Sequence, residues 1–413
     1  MNNLIELFEL LKKYNASIKN GNYPIKKRRL PLISANNKEK NIYVKTKHFI
    51  QQKIEGEIPP KTVEKHAQPK SFSGYTPSQI ISAYNIPRYI QQSNKTATVT
   101  IIIAYTYPNL QKDFDTFCIK FNLPQQKLNI ITLGSVQDSG WASEECLDVQ
   151  MVHVANPYAQ ITVIEAKSNS YYDMNYAIDY ANKLPETQII SMSWGSEEFN
   201  TQQNNEKYFN NDKICYCASS GDENYVCYPS SSPNVISVGG TTLILNNLNT
   251  RESEKTWPSA GSGISKYTLI PSYQSGCKNI SGQKRLVPDV SCIGNPNYGV
   301  QICYNNNYYV VGGTSVSAPL FAGILSIVNQ QRIDSNLDTL TSISTAKKNL
   351  VQKYIYKNLY NESFNNKPYL YSNNFYDVTI GKDGKYNATT YYDKATGLGV
   401  PICSSLITTL KNI

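Results

Sequence analysis

A serine at position 315 sits in the stretch Val311-Gly312-Gly313-Thr314-Ser315-Val316-Ser317-Ala318-Pro319, which runs into the apolar segment 320–328. A glycine-rich approach followed by an apolar run places this serine at the start of a helix. There its hydroxyl can project into a cleft beside unpaired backbone N–H groups, and this is how a nucleophile for acyl transfer is presented. A nucleophilic serine needs a base, and Glu144 and Asp148 offer one. Four residues apart on a helical pattern, their carboxyl groups share one face. Two like charges so placed are unfavourable unless a proton is shared, which makes the pair a coupled acid/base system. Standing alone, such a pair is more often a solvated helix face. Here Leu147, Val149 and Val152 read as a helix packed in a core. A third carboxyl, Asp222, follows Ala218-Ser219-Ser220-Gly221 at the end of an apolar run. As a neutral acid it could donate a hydrogen bond to a developing oxyanion. As an isolated feature it would be a turn aspartate after glycine.

Histidine, the usual base for serine, is scarce. Only His48, His66 and His153 occur. The first two fall in an N-terminal extension, and His153 reads as a satisfied or surface histidine beyond Asp148. The first core strand, Ile101-Ile102-Ile103-Ala104-Tyr105-Thr106, carries no acid. A Ser-His-Asp system is therefore disfavoured.

The elements that must position these groups alternate along the chain. Strands are expected over residues 97–104, 128–133, 160–166, 188–193, 214–219 and 235–238. Helices are expected over 110–121, 142–155, 172–183 and 315–331, with a shorter one after Thr76-Pro77, where threonine caps and proline takes the first helical position. Continuous apolar strands alternating with amphipathic helices indicate an α/β fold, a buried parallel sheet with helices on both faces. The Asn/Lys/Ser/Tyr-rich segment 336–374 carries no readable pattern and reads as an insertion.

The net charge of +9 is concentrated in residues 1–70, which hold 15 basic and 6 acidic residues. The rest is balanced, so Lys26-Lys27-Arg28-Arg29 reads as a solvated basic linker and no nucleic-acid partner is expected. No apolar stretch is long enough to span a membrane. Residues 1–12 read as a short amphipathic helix, since Glu6 and Glu9 interrupt the apolar run and the positive charges follow it; no signal peptide is visible. Nine cysteines leave at least one thiol outside any intrachain pairing. The cluster Cys215, Cys217 and Cys227 lacks a nearby histidine, which weakens a metal reading.

The Gly-Thr-Ser box resembles that of subtilisin-like serine peptidases, yet their H-G-T-H box and strand aspartate are missing. Glu144-x-x-x-Asp148-x-Gln150, Ser220-Gly221-Asp222, Ser191-Met192-Ser193-Trp194-Gly195, Val238-Gly239-Gly240-Thr241 and Pro288-Asp289-Val290-Ser291 instead resemble, in order, the sedolisins, or serine-carboxyl peptidases, a family that includes tripeptidyl-peptidases. The likeness runs from about Tyr75 to the C-terminus. It departs from the family where Glu223-Asn224 follow Asp222. It implies a subtilisin-like fold over residues 69–413 preceded by a basic extension, 1–68, which could be a reduced pro-segment. It further implies Ser315 as nucleophile, Glu144 as base, Asp148 as its orienting partner and Asp222 at the oxyanion.

The resemblance extends to a calcium loop holding one structural ion. Asp377 and Asp393 would give carboxylate oxygens, and Val378, Thr389 and Tyr391 backbone carbonyls. Thr389 and Tyr391 stand where the family has glycines, so a positive φ there would strain Tyr391. The implied activity is peptide hydrolysis on polypeptide substrates at acidic pH, by a monomer in an acidic extracytoplasmic or particle-delivered setting. Endopeptidase and tripeptidyl-releasing modes both stay open. The alternatives are a catalytically silent binding protein of the same fold and a neutral-pH enzyme using His153.

Overall fold

The computed structural model describes residues 42–46, 48–54, 73–365 and 367–413. The expected helix over residues 1–12, the basic run at 26–29 and His66 lie outside them.

The centre of the fold is β3 (Thr98–Ala104), all seven residues of which are buried. A strand with no exposed face must be covered on both sides, and this is why its sequence is continuously apolar instead of alternating. Complete burial of Ile101, Ile102 and Ile103 stabilises the fold by roughly 1.5–3 kcal/mol per side chain relative to exposure. Parallel to β3 lie β5 (Gln160–Ala166), with Ile102 opposite Ile164, and β6 (Ile189–Met192), with Thr100 opposite Ile190. The sheet continues outward through β4 (Asn129–Thr132) on one side. On the other it runs through β8 (Cys215–Ser219) and β9 (Val235–Leu245) to β10 (Arg251–Thr256), which is antiparallel. A further strand, β11 (Val290–Ile293), pairs parallel to β9. All six expected strands form, and β9 extends seven residues past its expected end because Thr241–Leu245 pair with β10.

The expected helices form in chain order as α1 (Pro77–Tyr84), α2 (Leu110–Phe121), α3 (Ser139–Ala155), α4 (Tyr171–Ala181) and α5 (Thr314–Asp334), and shorter ones follow, among them Cys403–Lys411. Thr76 and Gln79 form a reciprocal capping box at α1, satisfying two otherwise unpaired N–H groups. Helix α3 begins three residues before its expected start because Asp138 caps it, accepting from the N–H groups of Gly140 (2.9 Å) and Trp141 (3.0 Å). From Trp141 to Ala155 every residue of α3 is buried, as is nearly all of α5. The two pack directly on each other at Gly323. A Cβ there would stand 2.6 Å from the Ala155 Cβ and 2.8 Å from the Val152 carbonyl oxygen, so only glycine permits this backbone approach.

Segment 336–374 is no detached insertion. It supplies Tyr356, fully buried, whose hydroxyl donates to Asp289 Oδ1 at 2.9 Å. Asp289 also accepts from Arg285 Nη2 (2.7 Å) and the Ser237 N–H (2.8 Å), with both charged side chains wholly buried. The sequence's Pro-Asp-Val-Ser motif is thus a structural hub joining β9, β11 and the C-terminal region. All nine cysteines are buried free thiols. Residues 42–54, from the extension, lie against the sheet domain as β1 (Lys45–Thr46) and β2 (Phe49–Ile54). The expected division near residue 68 falls among residues not described.

Replacing Asp289 with alanine should lower stability by about 3–5 kcal/mol, since it strands the Arg285 charge in the core. Urea unfolding followed by tryptophan fluorescence measures this directly.

Candidate active site

The site is assembled by three elements that end at one place. Strand β6 leads into Ser193, strand β8 leads into the turn bearing Asp222, and α5 begins with Thr314 and Ser315. Gly313 precedes α5 at φ 120°, a left-handed backbone that glycine adopts without a Cβ penalty. It lets the chain turn sharply from β13 (Asn307–Gly312), the second strand of a hairpin begun by β12 (Val300–Tyr304), into the helix. Ser315 lies fully buried in the first turn.

Ser193 joins the nucleophile to the carboxyl pair. Its carbonyl accepts from Ser315 Oγ at 3.3 Å, and its own hydroxyl donates to Asp148 Oδ1 at 2.5 Å. Burial, then the charge of Glu144, push Asp148 well above the usual carboxylate range, against the lowering effect of the Ser193 bond. Glu144 and Asp148 are both fully buried, and Glu144 Oε1 and Asp148 Oδ2 have no hydrogen-bond partner among the described residues. A buried pair of this kind favours a single negative charge shared with one proton. Asp222 Oδ1 accepts from both the N–H (2.8 Å) and the hydroxyl (2.7 Å) of Thr314, the residue before Ser315. With Oδ1 so committed, a proton on this carboxyl would sit on Oδ2.

The structure therefore gathers Ser315, Glu144, Asp148 and Asp222 in one buried locality. The bond from Glu144 goes elsewhere, however. Glu144 Oε2 lies 2.5 Å from His48 Nδ1. His48 Nε2 lies 2.8 Å from Ser143 Oγ, and that hydroxyl spends its proton on the Gly140 carbonyl, also at 2.8 Å. Ser143 must then accept from Nε2–H, while the carboxylate accepts from Nδ1–H. With Glu144 ionised, both ring nitrogens donate and the ring is the charged imidazolium. Burial alone would lower the His48 pKa, but the charge and hydrogen bond of Glu144, with Asp222 adding to them, hold it above the ordinary 6.5. Sequence reasoning set His48 aside as part of the extension. Nothing in its neighbours marks it, and the scarcity of histidine was the one available signal.

His153 is no alternative base. Its Nε2 lies 2.7 Å from the Pro124 carbonyl and its Nδ1 3.1 Å from Gln126 Nε2. That pattern is a neutral ring with both nitrogens used, and burial pushes its pKa down to about 4. Beyond the site, β7 (Trp194–Glu197) leads to a polar cavity of about 130 Å³ lined by Glu197, Glu198, Tyr225, Lys266, Lys385 and Tyr386.

At the proposed calcium loop, Asp377 and Asp393 both act on Tyr371, whose hydroxyl donates to Asp377 Oδ1 at 3.1 Å. Tyr391 takes φ 69°, the left-handed conformation normally left to glycine, at a cost of about 1–2 kcal/mol. Its N–H bonds to Asp377 Oδ2 (2.7 Å), and that of Thr389 bonds to Asp393 Oδ2 (3.0 Å). Burial raises both carboxyl pKa values, that of Asp393 to about 6. Half-buried to buried carboxyl oxygens are the donor type that suits a hard cation. No third His, Cys, Asp or Glu joins them among the described residues, so other ligands would be carbonyls such as those of Val378, Thr389 and Tyr391.

Residues 126–376 match the model of the Subtilase family. Kumamolisin of Bacillus sp. (strain MN-32) is 26% identical over 408 residues, covering 88% of this chain and 68% of that protein. Tripeptidyl-peptidase 1 of Dictyostelium discoideum is 24% identical, covering 76% of this chain and 54% of its own length. Among solved structures, the Pseudomonas sedolisin, a serine-carboxyl proteinase complexed with two molecules of pseudo-iodotyrostatin, superposes with a TM-score of 0.67 at 24% identity, covering 83% of this chain and 99% of its own. With the subtilisin-like sheet and the buried serine and carboxyl groups already in place, the chain belongs to the subtilase family, in its sedolisin branch, as a serine-type peptidase.

Proposed function

We propose that this chain hydrolyses peptide bonds in acid through an acyl-enzyme on Ser315. The observation that carries the reading is the double role of Ser193, which holds the Ser315 hydroxyl with its carbonyl and Asp148 with its side chain. Nucleophile and carboxyl pair are thereby fixed to one residue. In the reaction Ser315 Oγ attacks the substrate carbonyl carbon as Glu144 takes its proton. Asp148, whose burial favours its protonated form, would turn that proton to Glu144 and orient it. Asp222, anchored on Thr314, offers a proton-bearing oxygen to the carbonyl oxygen as negative charge develops there. Glu144 then returns its proton to the leaving amine, and water repeats the sequence to release the acyl group.

The edge of β7 supports an extended polypeptide as substrate. It already accepts β1 as an antiparallel strand, with Lys45 opposite Gly195 and Thr46 opposite Trp194. The adjoining polar cavity then receives a substrate side chain. One carboxyl must act as a base while another stays neutral, and that combination favours a rate maximum at roughly pH 3–5. For the loop at Asp377 and Asp393, a bound calcium ion would supply the counter-charge that its two carboxylates lack.

Digestion of a random peptide mixture from pH 2 to 9, read by mass spectrometry, should give cleavage with a maximum near pH 4 and none with Ser315→Ala or Glu144→Gln. A maximum near pH 8 would contradict the carboxyl mechanism, and the same spectra separate internal cleavage from release of tripeptides. In Ser193→Ala the Asp148 carboxyl loses the bond that lowers its pKa, so the pH limb set by the pair should move upward. An unmoved limb would remove Ser193 from its assigned role. Chelation with EDTA should lower Tm by several degrees, on the order of 5 °C, with recovery on adding calcium and none on adding magnesium; an unchanged Tm would argue that the loop stands without an ion.

A further inference from the structure

The carboxyl next to the assigned base is buried too, and the mechanism does not use it. Glu145 follows Glu144 on α3 and is 1% exposed. It bonds to the carboxyl of Glu165, which is buried near the end of β5. Glu165 sits opposite Ile103 of β3 and Thr132 of β4. The Tyr107 N–H donates to its Oε1 (3.0 Å) and the Thr132 hydroxyl to its Oε2 (2.5 Å). Both Glu165 oxygens thus accept, as those of a carboxylate do. Glu145 has no comparable donors: its Oε1 is buried without a hydrogen-bond donor among the described residues. Two carboxyl groups bond to one another only through a proton, and this pattern of donors leaves that proton on Glu145.

We propose that Glu145 and Glu165 form a proton-sharing clasp that ties the site helix α3 to the sheet in acid and weakens as pH rises. The consequence for activity rests on the peptidase reading; the clasp does not. The titratable groups around Glu145 are Glu165 from β5, Asp148 from α3 itself and the neighbouring Cys146 thiol. Asp113 of α2 faces that thiol and is held by the Tyr107 hydroxyl (2.6 Å) and the N–H groups of Asn305 and Asn306. Strands β3 and β4 carry no charged residue. Among the described residues, no lysine, arginine or histidine forms an ion pair with either glutamate. A second negative charge would therefore meet only other acids, out of reach of water. Burial first, then the charge and the bond of Glu165, hold the Glu145 carboxyl well above its ordinary 4.5. The proton's contribution to stability is fully present below about 4.5 and is lost as pH rises through the raised value. Glu144 shares this turn of α3, so a helix that loses the clasp takes the base with it.

Thermal unfolding of the whole chain between pH 4.5 and 8 tests this. Glu145→Gln keeps the shape and donates to Glu165 from an amide, which has no proton to lose in that range. Its Tm should match the native value at pH 4.5 and exceed it at pH 8 by about 3 °C or more. Glu165→Gln removes the facing charge and should flatten the fall as well. Asp148 and His48 titrate in every variant, so the divergence between curves isolates the clasp. Hydrogen exchange on the native chain keeps the test open should a variant fail to fold. After correction for intrinsic rates, the amides of residues 140–147 and 161–165 should lose protection about tenfold between pH 4.5 and 8. Parallel Tm curves for the native chain and Glu145→Gln, or unchanged protection, would overturn the clasp. After incubation at pH 8 and assay at pH 4, Glu145→Gln should keep its cleavage activity about tenfold longer than the native chain. Curves that diverge as expected while no protein cleaves peptide at any pH would leave the clasp standing and remove the peptidase reading instead.

Discussion

The contact between α3 and α5 governs everything the site does. Helices ordinarily pack 8–10 Å apart, and here glycine at position 323 lets the backbones close on Ala155 and Val152. Two helices buried on nearly every side have no solvent face along which to slide, so their relative placement is set by packing alone. One carries the carboxyl pair and the other the serine. Each side chain is then placed by its position along a rigid rod, and Ser193, the residue after β6, supplies the bridge between them.

That placement requires several carboxyl groups to share a small space from which water is excluded. The protein meets this burden by giving each a different partner. Asp148 takes the Ser193 hydroxyl, Asp222 takes the first turn of α5 through Thr314, and Glu144 takes His48. A carboxylate that gains a partner stays charged in the interior, and one that lacks charge compensation takes up a proton. Differences in partner thus give chemically similar groups different environments, which the proposed mechanism uses to separate a base from proton donors. Asp289, also a buried carboxylate, shows the contrasting solution: a bidentate bond to Arg285 fixes its charge and makes it purely structural.

Much of this was legible in the residues. The unbroken apolar run of β3 marked a doubly covered strand, and the spacing of Glu144 and Asp148 marked one helical face. The glycines before Ser315 marked a sharp entry into a helix. Segment 336–374 was illegible because its anchors, such as Tyr356 on Asp289, are single side chains reaching distant partners and leave no periodic trace. The early start of α3 at its Asp138 cap, and the extra length of β9 against β10, escaped for the same reason: both depend on which neighbour is present.

The sequence by itself determined the buried parallel sheet and the serine at a helix start, and pointed to carboxyl groups as its companions. These follow from local pattern and composition, which act within a few residues. Only the tertiary structure decided where His48 goes. Its 96-residue separation from Glu144 is bridged by strand pairing on β7 and β13, whose backbone hydrogen bonds are indifferent to side-chain identity and so write no signature into the chain. The same indifference allows β1 and β2 to pair with β7 and β13 without a matching side-chain pattern.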